Sequence, residues 1–437
     1  MSIEAFNTWI AAHPDWLGAM VFLIAFFECA AVIGLILPGV VMLFAVAVLA
    51  GSGALGLGET LLLAFLGGLL GDVLSYWLGR RFHQGIRRLP GLRNHPQWLT
   101  GAESFVARYG IASLLVGRFI GALRPFLPMV AGMLDMPFGR FLAVSTLAAA
   151  GWSVAYLLPG WTTGAALRLP LPPGFWPQAA IVAGGLALLA AALIHSALKR
   201  HHWATPLAAG MSALLLLGLL IGWPHLSALD DGLMALIQEH RSAGLDEIMV
   251  AVTRLGDFRT QVFAGVLLCL GLLAWRRWQH LLFAIGTLLG TALLNRTLKH
   301  LFGRARPEVI ADPLSAFSMP SGHSSASFAF FLTLAVLASR ESSPRVRLTW
   351  LLLGMLPAAS IALSRLYLGA HWPTDVTAGA LLAGSVCAAS LWLTQRRQSL
   401  SALPARIWWT LLPLLLLLFC GSAIWNLGSA VLRYQPL

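Results

Sequence analysis

Apolar runs near twenty residues recur along this chain, and no other feature limits its fold as strongly. About twenty consecutive apolar residues is the length a helix needs to cross a bilayer. Within a bilayer only helices and closed barrels satisfy their own backbone polar groups. A barrel would show short alternating segments, and none occur. The expected fold class is an all-α polytopic membrane protein. Composition agrees: of 437 residues, 58% are hydrophobic and 11% charged. The first sixteen residues hold no Lys or Arg and no long apolar core, so no cleavable signal peptide is expected. Cys29, Cys269, Cys387 and Cys420 lie in apolar stretches without paired spacing. They read as small core hydrophobes rather than as a disulfide or zinc framework.

A net charge of +12 would suggest nucleic acid in a soluble protein. Here the basic residues cluster in short loops between apolar runs, so the partner is the phospholipid bilayer and no nucleic acid is expected. In the second half, spans are expected at about 205–223, 260–275, 281–298, 322–339, 348–366, 375–394 and 407–430. This is a bundle of six core transmembrane helices plus one extra. Lys199 and Arg200, then Arg276 and Arg277, then Arg340, Arg345 and Arg347, then Arg396, Arg397 and Arg406 occupy alternate connections, which read as cytoplasmic. The remaining connections face away from the cytoplasm, which for a bacterial inner membrane is the periplasm.

The first half has a different texture. A basic loop holding Arg80, Arg81, Arg87, Arg88, Arg93 and Arg108 reads as cytoplasmic, as does Lys199–Arg200. An even number of crossings must separate them, yet three apolar segments intervene: 111–134, 139–160 and 176–197. One segment must turn back on itself. Segment 111–134 is broken by Gly121, Pro125 and Pro128, and proline penalises a continuous helix. Segment 18–52 is interrupted in the same way at Pro38–Gly39 and precedes a span at 59–79, as 111–134 precedes 139–160. The expected N-terminal architecture is an inverted repeat of re-entrant hairpin plus helix, with kinked spans as the alternative. Glu28, Arg118 and Arg124 sit beside these breaks. Glu28 is expected to pair with Arg118 or Arg124, or to titrate. Asp72 is either a hairpin partner or a polar residue at a helix end.

Three motifs near the C-terminal end carry chemistry: Lys299-x6-Arg306-Pro307, Pro320-Ser321-Gly322-His323, and Ser364-Arg365-x5-His371-x3-Asp375. Ionisable groups among apolar helices mark a functional site unless a cavity or partner receives them for another reason. Phosphoryl transfer needs fixed cations and amide donors around three anionic oxygens. Lys299, Arg306 and Arg365 can supply the charge and Ser321 a hydroxyl. Gly322 lets a backbone N–H approach at a helix start. Asp375 lies four residues after His371, on one helical face, where it would orient the ring for nucleophilic attack. His323 has no such neighbour and is expected to protonate the leaving oxygen. No metal or other cofactor is expected, since no carboxylate cluster could hold magnesium. Ser364 serves either the motif or packing. Tyr367, Trp372 and Asp257 are further pocket candidates, while Arg296 and Arg304 read as snorkelling or loop charges.

In order and spacing these motifs resemble the type 2 phosphatidic acid phosphatase family, whose members hydrolyse phosphate esters through a phosphohistidine. The resemblance covers residues 198–437 and implies His371, His323 and Asp375 as catalytic and Lys299, Arg306, Ser321, Gly322 and Arg365 as phosphate-binding. In the first half, Gly117-Arg118-Phe119-Ile120 followed by Arg124-Pro125, with Gly71-Asp72 and Tyr76-x2-Gly79-Arg80, resembles the DedA family of lipid-translocating proteins. That resemblance covers about residues 18–197 of a first domain expected at 1–197, and implies Glu28, Arg118 and Arg124 as functional. Many members carry an acidic residue after Leu-Pro-Gly, where this chain has Val40, which puts any two-carboxylate coupling in question. The two resemblances together imply a phosphatase acting on undecaprenyl pyrophosphate at the periplasmic face, fused to a module that flips the lipid phosphate product. Phosphatidate or phosphatidylglycerophosphate is the alternative substrate, and a transporter gated by a phosphatase-like half the alternative class.

Overall fold

The computed structural model describes residues 14–31, 38–86, 126–199, 203–310, 316–396 and 398–435, together with Gly34, Thr100, Ser104, Leu114, Leu115, Arg118, Arg124 and His201. Gly121, Pro125, Arg87, Arg88, Arg93, Arg108, Arg200 and Arg397 lie outside the described residues. Eight helices among the described residues are long and apolar enough to cross a membrane, or nine if one bent pair forms a single span. The chain is a multi-pass membrane protein. It divides into two compact units, Met1–Pro170 and Leu171–Leu437.

The first unit holds α1 (Pro14–Cys29), α2 (Gly39–Leu49, prolonged by a π turn over Ala50–Ala54), α3 (Leu57–Ile86), α4 (Phe126–Met133) and α5 (Phe138–Arg168). The expected break at Pro38–Gly39 is present: α1 and α2 are separate, short apolar helices that pack on each other. Small residues draw the backbones together, as is usual where lipid gives no hydrophobic drive for helix association. A Cβ at Gly67 or Gly71 of α3 would stand 2.3 Å from Phe22 O or 2.4 Å from Phe26 O of α1. One at Gly164 of α5 would stand 2.0 Å from Val48 O of α2.

The second unit holds α6 (Phe175–Leu198), α7 (Ala204–Gly222), α8 (Ser227–Glu239), α9 (Ala243–Arg254), α10 (Phe258–Ala274), α11 (Trp278–Phe302), α12 (Gly322–Ala338), α13 (Pro344–Tyr367), α14 (Pro373–Thr394), α15 (Ala405–Ile424) and α16 (Leu427–Arg433). The sequence reading placed the boundary at 197/198, whereas the compact units divide at 170/171. The reason is packing. Leu189 of α6 is buried with Leu216 and Leu220 of α7 and Leu382 of α14, and Gln178 Oε1 accepts from Leu229 N at 2.8 Å. The main core gathers Leu268, Phe283, Phe330, Leu391 and Leu411 from α10, α11, α12, α14 and α15.

Two bends depart from the expected spans. α9 and α10 meet at 41° around Leu255–Asp257. The expected 407–430 span stops at Ile424, because Asn426 adopts a left-handed conformation (φ 50°) that asparagine tolerates better than most residues. The chain then re-enters a helix at Leu427, which brings Arg433 and Tyr434 to the wall of the cavity described below.

Candidate functional site

In the second unit the charged site is built at helix ends and the loops between them. α11 carries Lys299 in its last turn and ends at Gly303, whose left-handed φ of 57° fits a helix C-terminus. Lys299 turns inward: its Nζ donates to Phe317 O at 2.5 Å and Ser318 O at 3.2 Å, so it does not snorkel. Arg306 follows on the loop, held by bonds from Nε to Ala316 O (2.7 Å) and from Nη1 to Ala370 O (2.6 Å). Ser321 caps α12, its Oγ accepting from Ser324 N and from Ser324 Oγ (2.9 Å). A Cβ on Gly322 would meet only Asn295 Oδ1 and Lys299 Cε, near 4 Å, so this helix start opens toward the lysine.

His371 and Asp375 meet, though not on one helical face as expected. Pro373 occupies the first turn of α14, where a proline starts a helix and keeps the residue before it extended. His371 therefore lies in the preceding turn. Its Nδ1 stands 3.5 Å from Asp375 Oδ2 and 3.3 Å from Ser318 Oγ, and Ser318 Oγ donates to Asp375. Asp375 Oδ2 also accepts from Trp372 N at 3.0 Å. On the far side of the ring, Arg306 Nη1 is 3.1 Å from His371 Nε2. A guanidinium only donates, so Nε2 bears the lone pair and Nδ1 the proton. Burial, then Arg306, Arg365, Lys299 and His323, hold His371 well below the usual histidine range. Burial and Arg365 bring Arg306 down to about 10, which leaves it charged at neutral pH.

His323 has the partner that sequence proximity could not reveal: Nε2 lies 3.0 Å from Asp257 Oδ1, at the start of α10. Gly256 permits this, because a Cβ there would stand 2.5 Å from Ile361 and 3.1 Å from the His323 ring. Arg365 is 1% exposed and donates to Thr253 Oγ1 (3.0 Å) and Tyr434 Oη (2.7 Å). Its Nε is buried without a partner among the described residues. Arg306, His323, Asp257 and Arg365 line one cavity of about 180 Å³ with Ala316, Arg433 and Tyr434.

Arg304, read as a loop charge, is buried instead. It donates to Asp375 Oδ1 (2.7 Å), Asp230 Oδ2 (2.6 Å) and Thr374 Oγ1 (2.7 Å), and it stacks on Trp223. Ser364 spends its hydroxyl on Ile361 O, and Tyr367 Oη accepts from Ser242 N, so both serve packing. Trp372 Nε1 donates to Ala305 O, and Arg296 is exposed.

In the first unit, Glu28 pairs with Arg124 at 2.8 Å, and Arg118 pairs with Asp72 of α3. The cluster therefore holds a second carboxylate, Asp72, although position 40 is valine. Both arginines lie over the Trp152 ring, at 5.0 and 4.5 Å, and within 3.4 and 3.6 Å of Cys29 Sγ. Gly39 admits this cluster, since a Cβ there would occupy the place of Glu28 Oε2. Glu28 Oε2, Arg118 Nε and Arg124 Nε are buried and unpartnered among the described residues.

A histidine held by a carboxylate on one nitrogen and faced by cations on the other, beside a cation-lined cavity, suits phosphoryl transfer. Comparison with known proteins agrees with that chemistry: residues 278–399 match the family model of the PAP2 superfamily. Residues 37–162 match the family model of the VTT domain, and the two matched segments are consistent with a DedA–PAP2 fusion. Over 150 residues, 34% of this chain, it is 40% identical to the Inner membrane protein YabI of Escherichia coli (strain K12), covering 59% of that protein. Protein DedA of the same organism is 28% identical over 158 residues, 36% of this chain and 72% of that one. The chain spans about three fifths of the length of the first curated relatives it matches. The crystal structure of the first transmembrane PAP2 type phosphatidylglycerolphosphate phosphatase from Bacillus subtilis aligns at a TM-score of 0.37 with 26% identity, covering 43% of this chain and 94% of that chain.

Proposed function

We propose that the chain hydrolyses undecaprenyl pyrophosphate at the periplasmic face of a bacterial inner membrane and that its first unit moves the lipid phosphate product back across the bilayer. The observation that carries the chemistry is the lone pair of His371 Nε2 facing Arg306, with Nδ1 turned to Ser318 and Asp375. His371 Nε2 attacks the terminal phosphorus. The bond to the bridging oxygen breaks, its electron pair leaves with the lipid, and His323 delivers a proton where the leaving oxygen needs one. Asp375 stabilises the imidazolium as it forms. Water then cleaves the P–N bond, releasing inorganic phosphate and restoring His371. Lys299, Arg306 and Arg365 hold the phosphoryl oxygens throughout, and charge held in a fixed, low-dielectric site is where most of the rate arises.

The choice of lipid rests on the fusion. A phosphatase and a module of a lipid-translocating family in one chain share a substrate most simply when the product of one is the cargo of the other. Paired cations beside a break in the α1–α2 segment would receive an anionic headgroup. The test is phosphate release by purified protein against undecaprenyl pyrophosphate, phosphatidate and phosphatidylglycerophosphate. Undecaprenyl pyrophosphate is expected to give the highest kcat/KM. A preference for either glycerolipid would overturn the substrate while leaving the chemistry standing.

A further inference from the structure

The segment after Ile424 lines the cation-rich cavity, and nothing in the three motifs asks for it. After Ile424 the chain turns at Asn426 and runs through α16. Two arginines tether it by its carbonyls: Arg254 donates to Trp425 O and Arg241 to Tyr434 O. Arg241 is itself held by Asp246 at 3.0 Å. So docked, the segment brings Arg433 and Tyr434 into the cavity wall beside His323, Arg306 and Arg365.

Arg433 makes no ion pair among the described residues, and the one carboxylate lining the cavity, Asp257, is engaged by His323. Tyr434 Oη accepts from Arg365, so its own proton is free, and it meets no acceptor among the described residues. Arg365 Nε, buried and unpartnered, adds a further unspent donor. In the mechanism proposed above, Lys299, Arg306 and Arg365 are assigned to the oxygens of one phosphoryl group. A further cation, Arg433, lines the same cavity as His323, the residue assigned to the leaving oxygen.

We propose that Arg433, with Tyr434, receives the second phosphate of a diphosphate and makes this site selective for diphosphate over monophosphate esters. The inference rests on the phosphatase reading above and adds the residues that would set its substrate class. When the bond from the terminal phosphorus to the bridging oxygen breaks, negative charge collects on the departing lipid monophosphate. A guanidinium there stabilises that charge as it develops, which accelerates the step rather than only tightening binding. A simple phosphate ester leaves as an alkoxide, which needs the His323 proton more and Arg433 less.

The full-length protein in detergent, assayed with farnesyl diphosphate and farnesyl monophosphate, separates the outcomes. In Arg433→Ala the ratio of kcat/KM for diphosphate over monophosphate is expected to fall tenfold or more, with Arg433→Lys recovering most of it. Tyr434→Phe is expected to lower the same ratio by a smaller factor. A second measurement guards against loss of fold. Inhibition by inorganic pyrophosphate relative to inorganic phosphate should weaken in Arg433→Ala in step with the kinetic ratio. An unchanged ratio in a folded, active Arg433→Ala protein, or an equal loss on both substrates, overturns the inference and leaves the phosphatase reading intact. Absence of phosphate release from either substrate by the wild-type chain overturns both.

Discussion

Arg306 Nη1 and His371 Nε2 stand 3.1 Å apart, and the contact fixes which ring nitrogen can react. Because the guanidinium cannot accept, the histidine must, and its proton is turned toward Ser318 and Asp375. In the proposed mechanism the same cation holds phosphoryl oxygens.

That geometry has a pH signature. Burial and the neighbouring cations hold His371 well below 6.5. Attack needs the unprotonated ring, so activity persists as pH falls through 6.5 and is lost only well below it. The acid limb of kcat/KM should therefore lie far to the acid side of 6.5. Arg306→Ala removes one of those cations, so the limb should move upward toward 6.5 while kcat/KM drops on the order of 10²–10³. A wild-type limb at 6.5 that Arg306→Ala leaves in place would contradict this.

Arg304 is expected to matter for stability as well as rate. Its removal strands Asp230 and Asp375, which are 1% and 0% exposed, in an interior where each needs its partner. Breaking one side of such a buried network costs about 3–5 kcal/mol. Arg304→Ala should lower the thermal unfolding midpoint in detergent clearly, whereas Arg296→Ala, on an exposed face, should not. Equal midpoints for the two variants would sink the argument.

What the sequence revealed and what it hid follow from distance along the chain. Lys299, Arg306, Arg365 and His371 announced themselves because each motif is local, and ionisable groups are rare among apolar runs. Which residue meets which across the fold did not, even where a partner such as Asp257 or Asp72 was itself a candidate. Asp257 reaches His323 across 66 positions, Asp230 reaches Arg304 across 74, and Asp72 reaches Arg118 across 46. No periodicity encodes such pairs. Ser318 was missed because an isolated serine in a loop carries no pattern, and Tyr434 because the turn at Asn426 lies inside what reads as one apolar span. The spacing of His371 and Asp375 pointed to the right pair for the wrong geometry: Pro373 marked the true helix start.

The two units should separate functionally. Glu28→Gln, Arg118→Ala and Arg124→Ala are expected to leave phosphate release in detergent within a few-fold of wild type, since none of the three lies in the phosphate cavity. In liposomes the same variants should abolish lipid translocation, the step that would use those charges. Size-exclusion profiles must first show that each remains folded, because each change leaves a buried partner alone. Loss of phosphate release in a folded variant would mean that the halves act as one site.

Sidedness is open to a labelling test. In a background without the four native cysteines, Glu308→Cys should react with an impermeant thiol reagent in intact cells and Ser342→Cys should not. The reverse pattern would put dephosphorylation in the cytoplasm.

The central claim is a covalent phosphohistidine, and rapid acid-free quenching with terminally ³²P-labelled undecaprenyl pyrophosphate tests it most directly. The expected result is an acid-labile, alkali-stable label that maps to His371, absent in His371→Ala, with kcat lowered on the order of 10⁴ in Asp375→Asn. Label on another residue, or phosphate release by His371→Ala at a rate near wild type, would contradict the account.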